Sequence, residues 1–161
     1  MQLYILRHGV AEEQAAGQGD SQRQLTDAGR KKLRKILARA REAAVAPELI
    51  VSSPYVRAMQ TAEIAAEVLK YGDPIERSER LTPPYSVVEL WQEISGWRNL
   101  GQAMVVGHNP QLSQLVDFLI GARGGGVELK KGALASIEVE PASPQPRATL
   151  VWLLTAKTAG S

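Results

Sequence analysis

"LYILRHGVAEE", Leu3 to Glu13, decides how the rest of the chain reads. Residues 2–6 (QLYIL) form a nearly unbroken apolar run of strand length, as expected of a strand covered on both faces. The run stops abruptly at Arg7, His8 and Gly9, so one of only two histidines in the chain sits beside an arginine at a strand end. Outward from there, residues 10–24 are small and polar, with Gly17 and Gly19, and read as a loop. Thr26 then reads as an N-cap, with Asp27 near the positive end of the helix dipole. Leu33, Ile36, Leu37, Ala40 and Ala44 recur at helical spacing and predict a helix of about four turns that ends as Pro47 approaches.

The alternation continues. Residues 48–52 (ELIVS) read as a strand, and Pro54 fits the first turn of a helix through Ala58, Ala62, Ile64, Ala65, Val68 and Leu69, ending near Gly72. A short strand is expected at 75–79 and a loop at 81–86. Val87, Leu90, Trp91, Ile94 and Trp97 share one helical face. "AMVVG" at 103–107 reads as a short buried strand, with Asn109 as N-cap and Pro110 at the first position of a helix through Leu119. Residues 133–140 and 148–154, separated by the proline-rich "PASPQP", read as a closing hairpin. Strands alternating with helices predict an α/β fold: a three-layer αβα sandwich around a mostly parallel sheet. No repeat or second domain is visible. Residues 1–156 are expected to form one domain and 157–161 a short C-terminal tail.

Composition narrows the function. The 161 residues are enough for one substantial core. With no cysteine in the chain, disulfides, thiolate catalysis and cysteine-ligated metals are excluded. A net charge of +2 is a poor argument for nucleic-acid binding. No apolar run reaches membrane-spanning length, and the start lacks the basic leader and long apolar core of a signal peptide. A cytoplasmic protein with neither a nucleic-acid nor a membrane partner is expected.

In a parallel sheet, ligands bind beyond the carboxyl ends of the strands. Three such ends carry Arg7-His8-Gly9, Ser52-Ser53 followed a turn later by Arg57, and Gly107-His108-Asn109-Pro110. Both histidines and two arginines thus converge, with no carboxylate inside those motifs. The set suits a dianionic phosphoryl group: arginine forks grip its oxygens, and an unprotonated imidazole nitrogen is a competent nucleophile. His8 alone would more often be a structural histidine; five residues in register favour catalysis. Neither histidine motif has metal-ligand spacing, so neither a metal nor a cofactor is expected.

"LRHG", "SSPYVRAMQTA" and "VVGHNP", in this order and context, resemble the histidine phosphatase superfamily, also called phosphoglycerate mutase-like. "LTDAG" and the compact stretch between Leu81 and Gly101 resemble its SixA-type branch, the protein phosphohistidine phosphatases. The resemblance runs from Met1 to about Leu154. It implies that His8 is the phosphorylated nucleophile, that Arg7 and Arg57 clamp the phosphoryl oxygens, and that His108 donates to the same group. Gly9, Ser53 and Asn109 are candidate substrate contacts, and Thr61 a supporting one. Larger members carry an acidic residue in a Gly-Glu-Trp-like setting that protonates an alcohol leaving group. That motif is absent here. Glu79 is nearest in order to its place, with Glu12 and Glu13 as further candidates for a proton donor.

The implied activity is metal-independent removal of phosphate from protein phosphohistidine through an enzyme phosphohistidine, the partner being a phosphohistidine-bearing protein such as a phosphotransfer domain. Two alternatives stay open: a small-molecule phosphomonoesterase or mutase of the same fold, and a phospho-ligand binding module with incidental turnover. The oligomeric state is open and compatible with a monomer. "RKKLRKILARAR" at 30–41 reads first as the wet face of an amphipathic helix and second as a docking face for an acidic protein.

Overall fold

The computed structural model describes residues 1–140 and 145–159. The strands are β1 (Gln2–Arg7), β2 (Leu49–Ser52), β3 (Glu76–Arg77), β4 (Gln102–Gly107), β5 (Leu134–Val139) and β6 (Ala148–Leu154). The helices are α1 (Asp27–Glu42), α2 (Val56–Leu69), α3 (Val87–Ile94), α4 (Gln111–Ile120) and the single turn α5 (Ala156–Ala159), with 3-10 turns at Asp20–Gln22 and Glu79–Leu81. Sheet order is β3-β2-β4-β1-β5-β6. The first four strands are parallel, and the β5–β6 hairpin adds two antiparallel ones. The expected αβα sandwich with a mostly parallel sheet is what forms.

β1 shows why its run is apolar throughout. Leu3 and Ile5 join one core cluster, with α3 and α4; Tyr4 and Leu6 join the other, with α1 and α2. Successive strand side chains point to opposite faces, and both faces are covered here. Thr26 caps α1, accepting from the Gly29 N–H at 2.9 Å. Gly29 is required there, because a Cβ would lie 2.3 Å from the Val10 carbonyl oxygen.

Several boundaries move. α2 begins at Val56, leaving Pro54 and the N-cap Tyr55 outside it. The third strand shrinks to Glu76–Arg77 at the sheet edge. α3 stops at Ile94, so Trp97 sits in the following turn and still packs half-buried on the core. At α4 the N-cap is Pro110, and Gln111 is the first helical residue. Asn109 nevertheless caps from one place further out, its Oδ1 accepting from the Ser113 N–H (3.2 Å) and Oγ (2.8 Å). The hairpin expected from 133–140 and 148–154 forms: β5 lies between β1 and β6 and is buried on both sides except at Glu138, while burial along edge strand β6 alternates. Residues 141–144 of the hairpin's proline-rich connection lie outside the described residues. Of the segment read as a tail, Lys157–Ala159 continues α5 and ends on a buried Ala159, and 160–161 are not described. Among the described residues no helix is long and apolar enough to cross a membrane.

Candidate active site

Parallel register brings the three strand ends together. Arg7 of β1 stands opposite Gly107 of β4, and Ser52 of β2 opposite Val106. The ladder continues one residue further on each side: the His8 N–H donates to the Gly107 carbonyl at 3.0 Å and the Ser53 N–H to the Val106 carbonyl at 2.9 Å. His8 and Ser53 are therefore set by sheet hydrogen bonds rather than by free loops, and His108 directly follows the end of β4. All three are buried, as is Arg57 in the first turn of α2.

The hydrogen-bond pattern defines the His8 tautomer. Its Nδ1 lies 2.7 Å from the Gly9 carbonyl oxygen, which can only accept, so Nδ1 carries the hydrogen. Burial pushes the His8 pKa down to about 4, aided by the charges of Arg57, Arg7 and Lys131 and opposed by the Gly9 bond. The ring is therefore neutral near pH 7 and Nε2 is bare. Arg57 Nε donates toward that nitrogen at 3.4 Å. A lone pair at Nε2, fixed by a backbone carbonyl behind the ring, is the arrangement a nucleophilic imidazole requires.

His108 lies beside it, with ring centroids 5.1 Å apart. Burial, then His8 and Arg57, lower its pKa to about 3. Its Nε2 is 2.7 Å from Ser53 Oγ, which also accepts from the Tyr55 N–H at 3.2 Å. His108 Nδ1 is a buried atom with no partner among the described residues. Arg7 Nε is a second such atom. Arg7 Nη1 donates to the Leu129 carbonyl at 2.9 Å, and burial lowers the Arg7 pKa. Unpartnered buried polar atoms are costly, and two in one cluster fit a site awaiting a ligand.

The other expected residues take more specific places. Gly9 turns its backbone inward: its carbonyl orients His8 and its N–H donates to Thr61 Oγ1 at 3.2 Å. Its lack of a Cβ serves packing against α1, since a Cβ would lie 2.7 Å from Leu33 Cδ1. Thr61 Oγ1 in turn donates to the Arg57 carbonyl at 2.7 Å, tying α2 to the segment that follows His8. Asn109 Nδ2 donates at 2.9 Å to the Leu129 carbonyl that also accepts from Arg7. Glu79 follows β3 on the same end of the sheet but is exposed, and among the described residues its carboxylate makes no hydrogen bond or ion pair with the cluster. Glu12 and Glu13 are also exposed. Among the described residues no three His, Cys, Asp or Glu side chains gather as a metal site.

Two participants escaped the sequence reading. Asp20 reaches Arg57 from the 10–24 loop: its carbonyl accepts from Nη1 at 2.8 Å and its Oδ2 from Nη2 at 3.1 Å. Burial pulls the Asp20 carboxyl upward, but Arg23 and Arg57 outweigh this and hold it below the usual range. Asp20 is thus an ionised carboxylate on the fork that a phosphoryl group would use. Tyr55 is the other, with its ring 4.9 Å from that of His108 and the Arg57 guanidinium 5.2 Å from its centre. "SSPYVR" held Tyr55 in plain view, but nothing in its spacing marked it.

Two neutral buried histidines have a thermodynamic consequence. Their folded pKa values lie below the unfolded value near ~6.5, so below that pH the unfolded chain binds more protons. Stability is present in full above ~6.5 and declines as pH falls toward the folded values, by up to about 1.4 kcal/mol per pH unit for each histidine. Urea unfolding at pH 7 and pH 5 should show a larger acid loss in the native chain than in His108→Gln. Equal losses would contradict burial in the neutral form.

Comparison with known proteins extends this geometry. The model of the histidine phosphatase superfamily (branch 1) matches residues 3–82. An uncharacterized protein of Picosynechococcus sp. is 30% identical over 140 residues, covering 85% of this chain and 84% of its own. The protein histidine phosphatase SixA, solved with tungstate, superposes with a TM-score of 0.86 at 27% identity, covering 98% of each chain. A SixA chain from Agrobacterium tumefaciens gives a TM-score of 0.82 at 24% identity, covering 96% of this chain and 97% of its own. A small-molecule enzyme, the alpha-ribazole phosphatase of Shigella flexneri, shares the fold at 18% identity and a TM-score of 0.75, covering 100% and 99%.

Proposed function

The chain belongs to the histidine phosphatase superfamily, and from that membership we propose that it removes phosphate from phosphohistidine on a protein, without a metal and through a phosphohistidine formed on His8. The fold is the phosphoglycerate mutase-like sandwich of that family. The observation that carries the chemistry is the bare His8 Nε2 beside Arg57, with Arg7 Nε and His108 Nδ1 as buried nitrogens that have no partner among the described residues. Nε2 attacks phosphorus, the substrate's P–N bond breaks, and its electron pair leaves on the substrate imidazole, which takes a proton. Water then attacks the phosphoryl group on His8, and inorganic phosphate departs. Arginine and histidine donors stabilise the charge on the equatorial oxygens in both displacements.

The substrate class rests on the leaving group. Expelling an alkoxide calls for a general acid. Asp20 is held ionised and Glu79 stands outside the hydrogen-bonded cluster, so neither is placed to give a proton at neutral pH. An imidazole, with a free-ring pKa near ~6.5, leaves with help from solvent alone. Only the short helix α3 follows Leu81 before β4, which leaves the strand ends without a large lid and suits a phosphorylated side chain presented on a protein surface. We expect kcat/KM for a phosphohistidine protein to exceed that for phosphoserine or phosphoglycerate by at least ~10-fold, to survive exhaustive chelation, and to change little in Glu79→Gln. A preference for alkyl phosphates would instead assign a small-molecule phosphomonoesterase.

A further inference from the structure

We propose that a lysine-lined groove beside the active site docks an acidic face of the protein substrate; this rests on the phosphohistidine-protein reading above. The groove, about 580 Å³, lies between α1, the segment before β5, and α5, and is lined by Lys32, Lys35, Lys130, Lys131 and Lys157. It adjoins the catalytic centre through the backbone: Lys131 precedes Gly132, whose N–H donates to the His8 carbonyl at 2.9 Å.

The basic run on α1 divides by what its charges meet. Arg34 pairs with Glu67 at 3.0 Å and Arg39 with Glu42 at 3.2 Å, so these two are neutralised by the chain itself. Lys32 and Lys35 instead line the groove. Lys130 has an exposed partner in Glu128 at 3.3 Å, and the other four lysines make no ion pair among the described residues. Among the described residues no acidic one lines the groove. A chain of net charge +2 thus gathers five lysines in one concavity, four of them without an ion pair among the described residues, which focuses the field where a partner would approach the nucleophile.

The chemistry of the lining favours protein carboxylates over other polyanions. The rest of it is Thr155 and Ala156, with no aromatic ring on which a nucleobase would stack and no large apolar side chain to enter a bilayer. All five cations are lysines, mobile point charges that suit carboxylates at varied positions. The planar arginine forks that read phosphate bidentately are in the active site.

The test uses Lys32→Glu/Lys35→Glu/Lys157→Glu, which leaves Lys131 and every active-site residue in place. Its substrates are an aryl phosphate and a phosphohistidine-bearing phosphotransfer domain of net negative charge. Aryl phosphate turnover should stay within about two-fold of the native chain. On the phosphorylated domain kcat/KM should fall by ~10-fold or more, mainly through KM, and its loss with rising salt, steep in the native chain, should flatten. Equal kcat/KM for variant and native chain on the domain overturns the docking proposal while leaving the substrate reading intact. A native chain that hydrolyses aryl phosphate but not the phosphorylated domain overturns both. Binding of a DNA oligonucleotide or phosphatidylserine vesicles that is tighter than binding of the domain, and lost in the variant, reassigns the groove to that polyanion.

Discussion

His8→Ala is expected to abolish both turnover and covalent labelling, with a loss of ~10⁴-fold or more, as when an activated nucleophile is removed. Nδ1 is committed to the Gly9 carbonyl, so Nε2 is the only ring position able to accept phosphorus. A brief reaction with labelled phosphohistidine protein, quenched in alkali, should trap one phosphoryl group per native chain. The bond is a phosphoramidate, so the label should survive base and be lost in mild acid. The variant should fold: His8 bonds to the sheet through its backbone, and among the described residues its side chain hydrogen-bonds only the Gly9 carbonyl and Arg57. A melting temperature close to the native one separates lost chemistry from lost structure. Label persisting in His8→Ala would place the nucleophile elsewhere and undo the mechanism.

The parts of the site that were readable in the sequence are those held by the sheet. Arg7-His8, Ser53 and His108 each extend a parallel strand by a residue or two, and parallel register alone makes their positions coincide. Arg57 followed because one helical turn separates it from a strand end. Asp20 could not be found in this way. It lies in a stretch without periodicity, and what places it is Arg57, 37 residues away, through two hydrogen bonds that no local pattern encodes. Leu129, whose carbonyl anchors both Arg7 and Asn109, is hidden for a similar reason: its contribution is a backbone atom, independent of its side-chain type. The α3 start shows the reverse. Ser86 and Glu89 form a reciprocal capping box, a local signal spelled out in the residues themselves. Trp97 fits the helical spacing of α3 but lies beyond its end, because apolar periodicity continues into a turn that packs on the same core.

Arg57→Ala should cost ~3–4 kcal/mol in transition-state stabilisation, or ~10²–10³-fold in kcat/KM, the range for loss of one preorganised donor at a developing charge. The cost has two sources. One is the guanidinium itself, whose Nε already points at the attacking nitrogen and whose two Nη atoms are held in a fork by Asp20. Arg57→Lys keeps the charge but not the fork, and should recover less than a tenth of the lost activity. The second source is Asp20. Without Arg57 its carboxylate stays near the site with one of its two arginine partners gone, only Arg23 remaining at 2.9 Å, and it repels an incoming dianion. Asp20→Asn in the Arg57→Ala background should therefore restore activity several-fold. In the native background the same change removes an ion pair that holds the fork in place, and should lower kcat/KM. Opposite signs in the two backgrounds are the signature of residues that act as a unit, and the double-mutant cycle reads their coupling directly. If Asp20→Asn changes kcat/KM by the same factor in both backgrounds, the Asp20 carboxylate is not coupled to Arg57, which is then positioned by the Asp20 carbonyl, Thr61 and Tyr55.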